Sequence, residues 1–267
     1  MKKSWIIALS SIFLVIITIV ILCFTLFTVQ TINIDWRTSL TQQYDEEQII
    51  ASSGIKKGKN IFFIKKQPII NNIEKNNPYI GVVNIETSFP STLTIHVRER
   101  QGMFAVKNGQ EYFILDDSLK VLDNSDTSDG YILLQADISA SPGDFVKINL
   151  VDKLYSAALL NGRSLSELVA LISNIAPFES PNEFFGNMEA GLDLTLNSGR
   201  KVYIHNGAYA LANKLGSLFS ILGQMDKIAK DFGEEAAAGC EIHLQSLVGD
   251  PNDHYAYFVY NGERLEK

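Results

Sequence analysis

The chain has 267 residues, 46% of them hydrophobic and 20% charged, with a formal charge of −7 and two cysteines. That apolar content is enough for one or two domains with real cores, and it excludes a disordered tail. The acidity excludes the global positive charge with which nucleic-acid-binding proteins attract phosphate. The charge is unevenly spread, because residues 5–29 carry none, while residues 30–267 hold 21 basic residues against 30 acidic ones, a net of −9.

The uncharged stretch at 5–29 holds 25 residues, of which 20 are apolar. A helix rises about 1.5 Å per residue, so this run is long enough to cross a hydrocarbon core of roughly 30 Å. Lys2 and Lys3 precede it and the next positive charge is Arg37. Positive charge stays inside, so residues 1–4 are expected in the cytoplasm and the bulk outside. The alternative is a cleaved secretory signal, whose apolar region usually ends at small residues. Here the end reads Phe24-Thr-Leu-Phe-Thr-Val-Gln30, which favours a retained single-pass anchor over 5–29. Cys23 lies in that span, behind Ile21 and Leu22, without the small residues of a lipid-attachment site. Cys240 is the other cysteine, so no disulfide staples the part outside the membrane.

A first module is expected over 30–100. A strand at 31–35 is followed by Asp45-Glu-Glu-Gln48, which reads as a helix N-terminus, and by Gly54, which suits a left-handed C-terminal cap. The loop 55–64 comes next. A second helix then follows from Pro68, with Ile69, Ile70 and Ile73 on one face. Two strands follow, with Val83, Ile85, Thr87 and Phe89 alternating in the first and Leu93, Ile95 and Val97 in the second. The order is βααββ. The string Phe89-Pro-Ser-Thr-Leu93-Thr-Ile-His-Val97-Arg-Glu99-Arg100, behind Pro78-Tyr-Ile-Gly-Val-Val83, resembles the hairpin of a polypeptide-transport-associated (POTRA) domain. More narrowly, it resembles the FtsQ/DivIB family of bacterial division proteins. The resemblance implies an α+β chain made of a cytoplasmic tail (1–4), a transmembrane helix (5–29), a POTRA domain (30–100), a mixed β domain with flanking helices (101–262) and a short C-terminal tail (263–267).

In the second module, 104–107 and 112–115 read as a hairpin joined through Asn108-Gly109. A third strand is expected at 119–122, where Leu119 stands in the place at which the family carries Gly. A solvated loop at 123–130, a strand at 131–134 and a turn at Pro142-Gly143-Asp144 follow. One helical stretch is expected over 151–174, interrupted at Asn161-Gly162, and then a hairpin, 191–196 with 201–204. The next helix carries Leu211, Leu215, Leu218, Leu222, Met225 and Ala229, a stripe suited to packing on the sheet, and less readily to a coiled coil. The last strands are 240–247 and 255–260. In the second, Tyr255, Tyr257 and Val259 face one way and Ala256, Phe258 and Tyr260 the other. Such a strand is either central and covered on both sides, or an edge offering an aromatic face and unpaired backbone to a partner strand. The resemblance favours docking, with Tyr255, Tyr257, Phe258, Val259 and Tyr260 as partner-binding residues.

No catalytic signature accompanies this layout. Cys240 and His243 lie three apart on an expected strand and so point to opposite faces, which suits a core thiol and a surface imidazole better than a dyad or a metal site. Gly-x-Ser-x-Gly, His-Glu-x-x-His, Cys-x-x-Cys and phosphate-cradling loops do not occur. No cofactor, metal or small-molecule substrate is expected. Lys56, Lys57, Lys59, Lys65 and Lys66 place five basic residues within 11 positions, either a contact patch for an anionic polymer, headgroup or acidic partner, or a solvated loop. The family resemblance implies a non-enzymatic scaffold at the division septum of the cell membrane, recruiting FtsB/DivIC-like and FtsL-like partners. A POTRA-bearing, membrane-anchored chaperone or translocation accessory for secreted polypeptides is the alternative.

Overall fold

The computed structural model describes residues 2–39, 43–181, 188–207, 209–246 and 254–265. The chain divides into two units, Met1–Arg100 and Gln101–Lys267.

The first unit opens with α1 (Lys2–Leu26), of which Ala8–Leu26 is long and apolar enough to cross a membrane and is not buried in protein. The helix ends three residues before the uncharged run does. Phe27 and Val29 leave it to join the core of the following fold, with Val29 fully buried. Then come β1 (Thr31–Trp36), α2 (Glu46–Ser52), a 3-10 turn (Ile61–Phe63), α3 (Lys66–Asn76), β2 (Ile80–Ser88) and β3 (Thr92–Glu99). The expected βααββ order holds. The sheet runs β1-β3-β2, with β1 parallel to β3 and the β2–β3 hairpin antiparallel.

Local chemistry explains the boundaries. The Asp45 carboxylate accepts from the backbone N–H groups of Glu47 and Gln48 and caps α2, and Gly54 takes φ +69° after the helix, where a side chain would be strained. Ile69 and Ile73 of α3 pack with Ile85, Leu93, Ile95 and Val97 of the sheet. The expected alternation in β2 fails at one end. A bulge between Val82 and Asn84 puts two residues where the partner strand has one, so Val82 packs on the core while Val83 stands 55% exposed. Phe89 is exposed as well.

The second unit contains β4 (Gly102–Asn108), β5 (Glu111–Asp116), β6 (Val121–Ser125), β7 (Ile132–Leu134), α4 (Val151–Leu159), α5 (Leu165–Leu171), β8 (Ile172–Pro181), β9 (Met188–Leu196), β10 (Lys201–Ile204), α6 (Leu211–Leu222), α7 (Met225–Phe232), α8 (Glu234–Gly239), β11 (Glu241–Ser246), β12 (His254–Tyr260) and β13 (Glu263–Arg264). The strands form one ten-stranded sheet, β13-β12-β11-β10-β9-β8-β7-β4-β5-β6. Its core side packs Leu192, Leu194, Val202, Ile204, Ile242 and Leu244 against Leu154 of α4, Leu168 of α5 and Leu211, Leu215 and Leu218 of α6.

Three readings change in this unit. Asn108 pairs with Glu111, so Gly109-Gln110 forms the turn of the first hairpin. Leu119 adopts φ +62°, the conformation a glycine would take, with its side chain fully buried. The carboxylate of Asp116 fixes this turn by accepting from the Ser118 N–H, the Ser118 hydroxyl and the Lys120 N–H. The expected helix over 151–174 ends at Leu171, and the segment from Ile172 is strand β8, parallel to β7 and antiparallel to β9. Its Pro177 is tolerated because β7 pairs only as far as Ile175, so no ladder bond on that side needs the missing N–H.

The stripe on 208–230 is likewise broken, at Gly223-Gln224 between α6 and α7. Leu211, Leu215 and Leu218 are buried on the sheet, and past the break Ile228, not Met225 or Ala229, is the buried residue.

Candidate partner-binding face

Strand β12 lies between β11 and the two-residue β13, which among the described residues pairs with Val259 and Tyr260. Leu265 adds one further bond, its N–H donating to the Phe258 carbonyl. The two faces of β12 differ. Ala256 and Phe258 pack onto the core, and the Phe258 ring lies 6.5 Å from that of Phe232. Tyr260 points to the same side, where its hydroxyl donates to Glu235, and that bond raises its pKa. On the other face Tyr255, Tyr257 and Val259 are half-buried.

That second face continues across the sheet as a band of rings. Antiparallel pairing sets Tyr257 opposite His243, and parallel pairing sets His243 beside Tyr203. Directly opposed residues share a face, with their side chains in contact range. Tyr257 stacks on His243 at 4.7 Å, and His243 stacks on Tyr203 at 4.7 Å and on His205 at 5.2 Å. Phe178 of β8 closes the row, edge-on to His205 at 5.7 Å. Gly191 of β9, which pairs with Phe178, makes this reach possible, because a Cβ there would sit 2.4 Å from Cζ of Phe178 and 2.7 Å from the Ile204 carbonyl oxygen. At the other end the Arg264 guanidinium covers the Tyr257 ring at 4.5 Å.

The two imidazoles set the electrostatics. His205 Nε2 and His243 Nδ1 are 2.9 Å apart. Glu241 lies 3.5 Å from the other nitrogen of His243, which is buried. A proton on His243 Nε2, on the side of Glu241, leaves Nδ1 to accept from His205 Nε2–H. This bond needs Nδ1 of His243 unprotonated. Burial, then the neighbouring His243 and Lys214, lower the His205 pKa to about 4. Burial also lowers that of His243, against the opposing pull of Glu241. Behind the band, the fully buried Lys214 of α6 donates to the carbonyls of His205 and Asn206, at 2.7 and 2.6 Å. Burial brings its pKa down to about 8. The face thus offers flat, neutral, polarisable surface with a cation at its rim, which suits binding. Among the described residues no group of three or more His, Cys, Asp or Glu could hold a metal.

Comparison with known proteins agrees with this architecture. The model of the POTRA domain, FtsQ-type, matches residues 27–100. The cell division protein DivIB of Clostridium tetani is 26% identical over 220 residues, 80% of this chain and 78% of that protein. These matches support the FtsQ/DivIB family. DivIB of Clostridium acetobutylicum is 34% identical over 121 residues, 45% of this chain; that match spans about half of the relative, 47%. A solved extracytoplasmic domain of DivIB from Geobacillus stearothermophilus is 17% identical, with 48% of this chain and 96% of that one covered at a TM-score of 0.28.

The family match starts at residue 27, where α1 ends and the POTRA core begins. The structure separates the residues singled out in the sequence. Tyr255, Tyr257 and Val259 lie on the band side, and Phe258 and Tyr260 on the core side, each half-buried. Cys240 is buried, with the Arg200 guanidinium at 3.1 Å from its sulfur, while His243 lies on the opposite face. The five lysines at 56–66 are all exposed and belong to the first unit. The sequence reading missed Tyr203, His205, Phe178 and Arg264. The alternation of Val202, Ile204, Ile242 and Leu244 is the signal that could have found Tyr203 and His205, since these two and His243 are its out-of-phase members.

Proposed function

We propose that the chain is a membrane-anchored, non-enzymatic scaffold of bacterial cell division, with α1 as its single transmembrane helix and residues 1–4 in the cytoplasm. The two units stand outside at the septum, where they recruit or stabilise single-pass division proteins of the FtsB/DivIC and FtsL kinds. The aromatic band of β12, β11 and β10 is the docking face, with Tyr255, Tyr257 and Val259 as contacts. The observation that carries this reading is the half-exposed run of stacked rings on the side of the sheet away from the core helices, since flat aromatic surfaces supply much of the energy of protein interfaces.

Replacing Tyr255 and Tyr257 together with Ala, in a chain that still folds, is expected to give undivided filaments with normal secretion. Jammed export without filaments would instead favour the translocation accessory. Normal septation would overturn the docking face.

A further inference from the structure

Residues 55–65 of the POTRA unit connect α2 to α3 and, with Lys66 at the start of α3, carry an apolar segment flanked on both sides by lysines. Ile55, Ile61 and Ile64 anchor it in the core, and Asn60 caps the 3-10 turn by accepting from the Phe62 N–H. This turn throws the next two residues outward, so Phe62 is 56% exposed and Phe63 is 63% exposed. Phe89, at the tip of the β2–β3 hairpin, joins them with 62% of its surface open. The rings of Phe62, Phe89 and Phe27 meet pairwise at 5.3 to 5.8 Å. Lys56, Lys57, Lys59, Lys65 and Lys66 flank this knob and are all exposed.

The loop is tied to the chain as it leaves α1. Val29 N–H donates to the Lys59 carbonyl, Gly58 N–H to that of Val29, and Ile61 N–H to that of Phe27. Phe63 stacks on Phe24 within α1 itself, at 6.2 Å. Where Ala8–Leu26 crosses a bilayer, these bonds hold the phenylalanines at the level where hydrocarbon gives way to headgroups, and the lysines beside them. Aromatic side chains favour that level, and lysine stems reach from it to phosphate. The charge of the chain is arranged to match. Residues 30–100 carry 9 basic residues against 7 acidic ones, whereas residues 101–267 carry 12 against 23.

We infer that the Phe62–Phe63–Phe89 knob inserts into the outer surface of the membrane, with the five lysines binding anionic lipid headgroups, so that the POTRA unit is docked on the bilayer as well as tethered to it. This rests on the reading of α1 as a membrane span, and the test separates the two. The full chain is placed in nanodiscs of phosphatidylcholine alone or mixed with phosphatidylglycerol, with lipids brominated near the interface as quenchers of tryptophan. Trp5 reports the anchor through quenching of the unmodified chain beyond that of the Trp5→Phe chain, whose remaining emission is that of Trp36. Phe62→Trp, in a chain carrying Trp5→Phe, reports the knob.

The expected result is loss of Phe62→Trp emission beyond that of the Trp5→Phe chain, larger with phosphatidylglycerol and diminished when all five lysines are replaced by Gln. Quenching of Trp5 without quenching at position 62 would overturn the inference and leave the anchor standing. Protection of the loop by a soluble anionic wall polymer, again without quenching by lipid, would overturn it too. An unquenched Trp5 would remove the anchor reading and the inference together.

Discussion

Acidification should loosen the aromatic band through His205. Its pKa in the folded chain is about 4, against about 6.5 for an unperturbed imidazole. The unfolded chain therefore binds more protons between those values. Stability held by the neutral ring is complete above pH 6.5 and is lost as the pH falls towards 4. Between pH 7 and pH 5 the linkage relation gives a ceiling of about 2 kcal/mol. The ring remains partly open to water, which reduces this to about 1 kcal/mol. His243, also lowered by burial, acts in the same direction. The assay is urea unfolding of the full chain in neutral detergent, read from the methyl NMR signals of Leu194 and Leu244, for the parent and for His205→Asn. The parent should lose about 1 kcal/mol more than the variant over this interval, and the His205 ring signals should titrate near pH 4. Equal losses in the two chains, or a His205 titration near 6.5, would refute the burial argument.

Further outcomes follow from the same packing. Gly191→Ala places a methyl group against Phe178 and the Ile204 carbonyl, and should cost about 1–3 kcal/mol by overpacking, seen as a lower urea midpoint with the Phe178 ring signals displaced. Lys214→Met leaves two carbonyls without their donor and should cost about 2 kcal/mol, with changed amide shifts at 205–207 in NMR spectra. Cys240, at 1% exposure, should resist a thiol reagent in a chain carrying Cys23→Ser until urea unfolds the second unit.

Where the pattern in the sequence reflects burial of one face against one layer, it reads directly. Leu93, Ile95 and Val97 all sit in the core, as their alternation says, and so do Cys240, Ile242 and Leu244. Where burial depends on a bulge or a neighbouring element, the pattern misleads. The spacing of Leu165, Leu168, Ile172 and Ile175 continues a helical period into β8, because a register shift between Ile172 and Asn174 breaks the alternation a strand would show. Ser164 and Glu167, a reciprocal capping box at the start of α5, were a readable sign that the helix restarts there. Val83 reads as inward because no local signal marks the bulge at its position. The two faces of β12 were correctly divided between odd and even residues. Which of them meets the helices depended on α6 to α8 folding over the far end of the sheet, and pairwise alternation carries no information on that. The aromatic band was invisible for a related reason: its members come from four separated segments joined only by strand register.

The claim that Tyr255 and Tyr257 face a partner while Phe258 faces the core is tested most directly by photo-crosslinking in dividing cells. A photoreactive phenylalanine analogue is placed in turn at positions 255, 257 and 258. The account predicts crosslinks to a single-pass membrane division protein from 255 and 257 and much weaker capture from 258. Capture from 258 alone, or no membrane partner from any of the three, would contradict it.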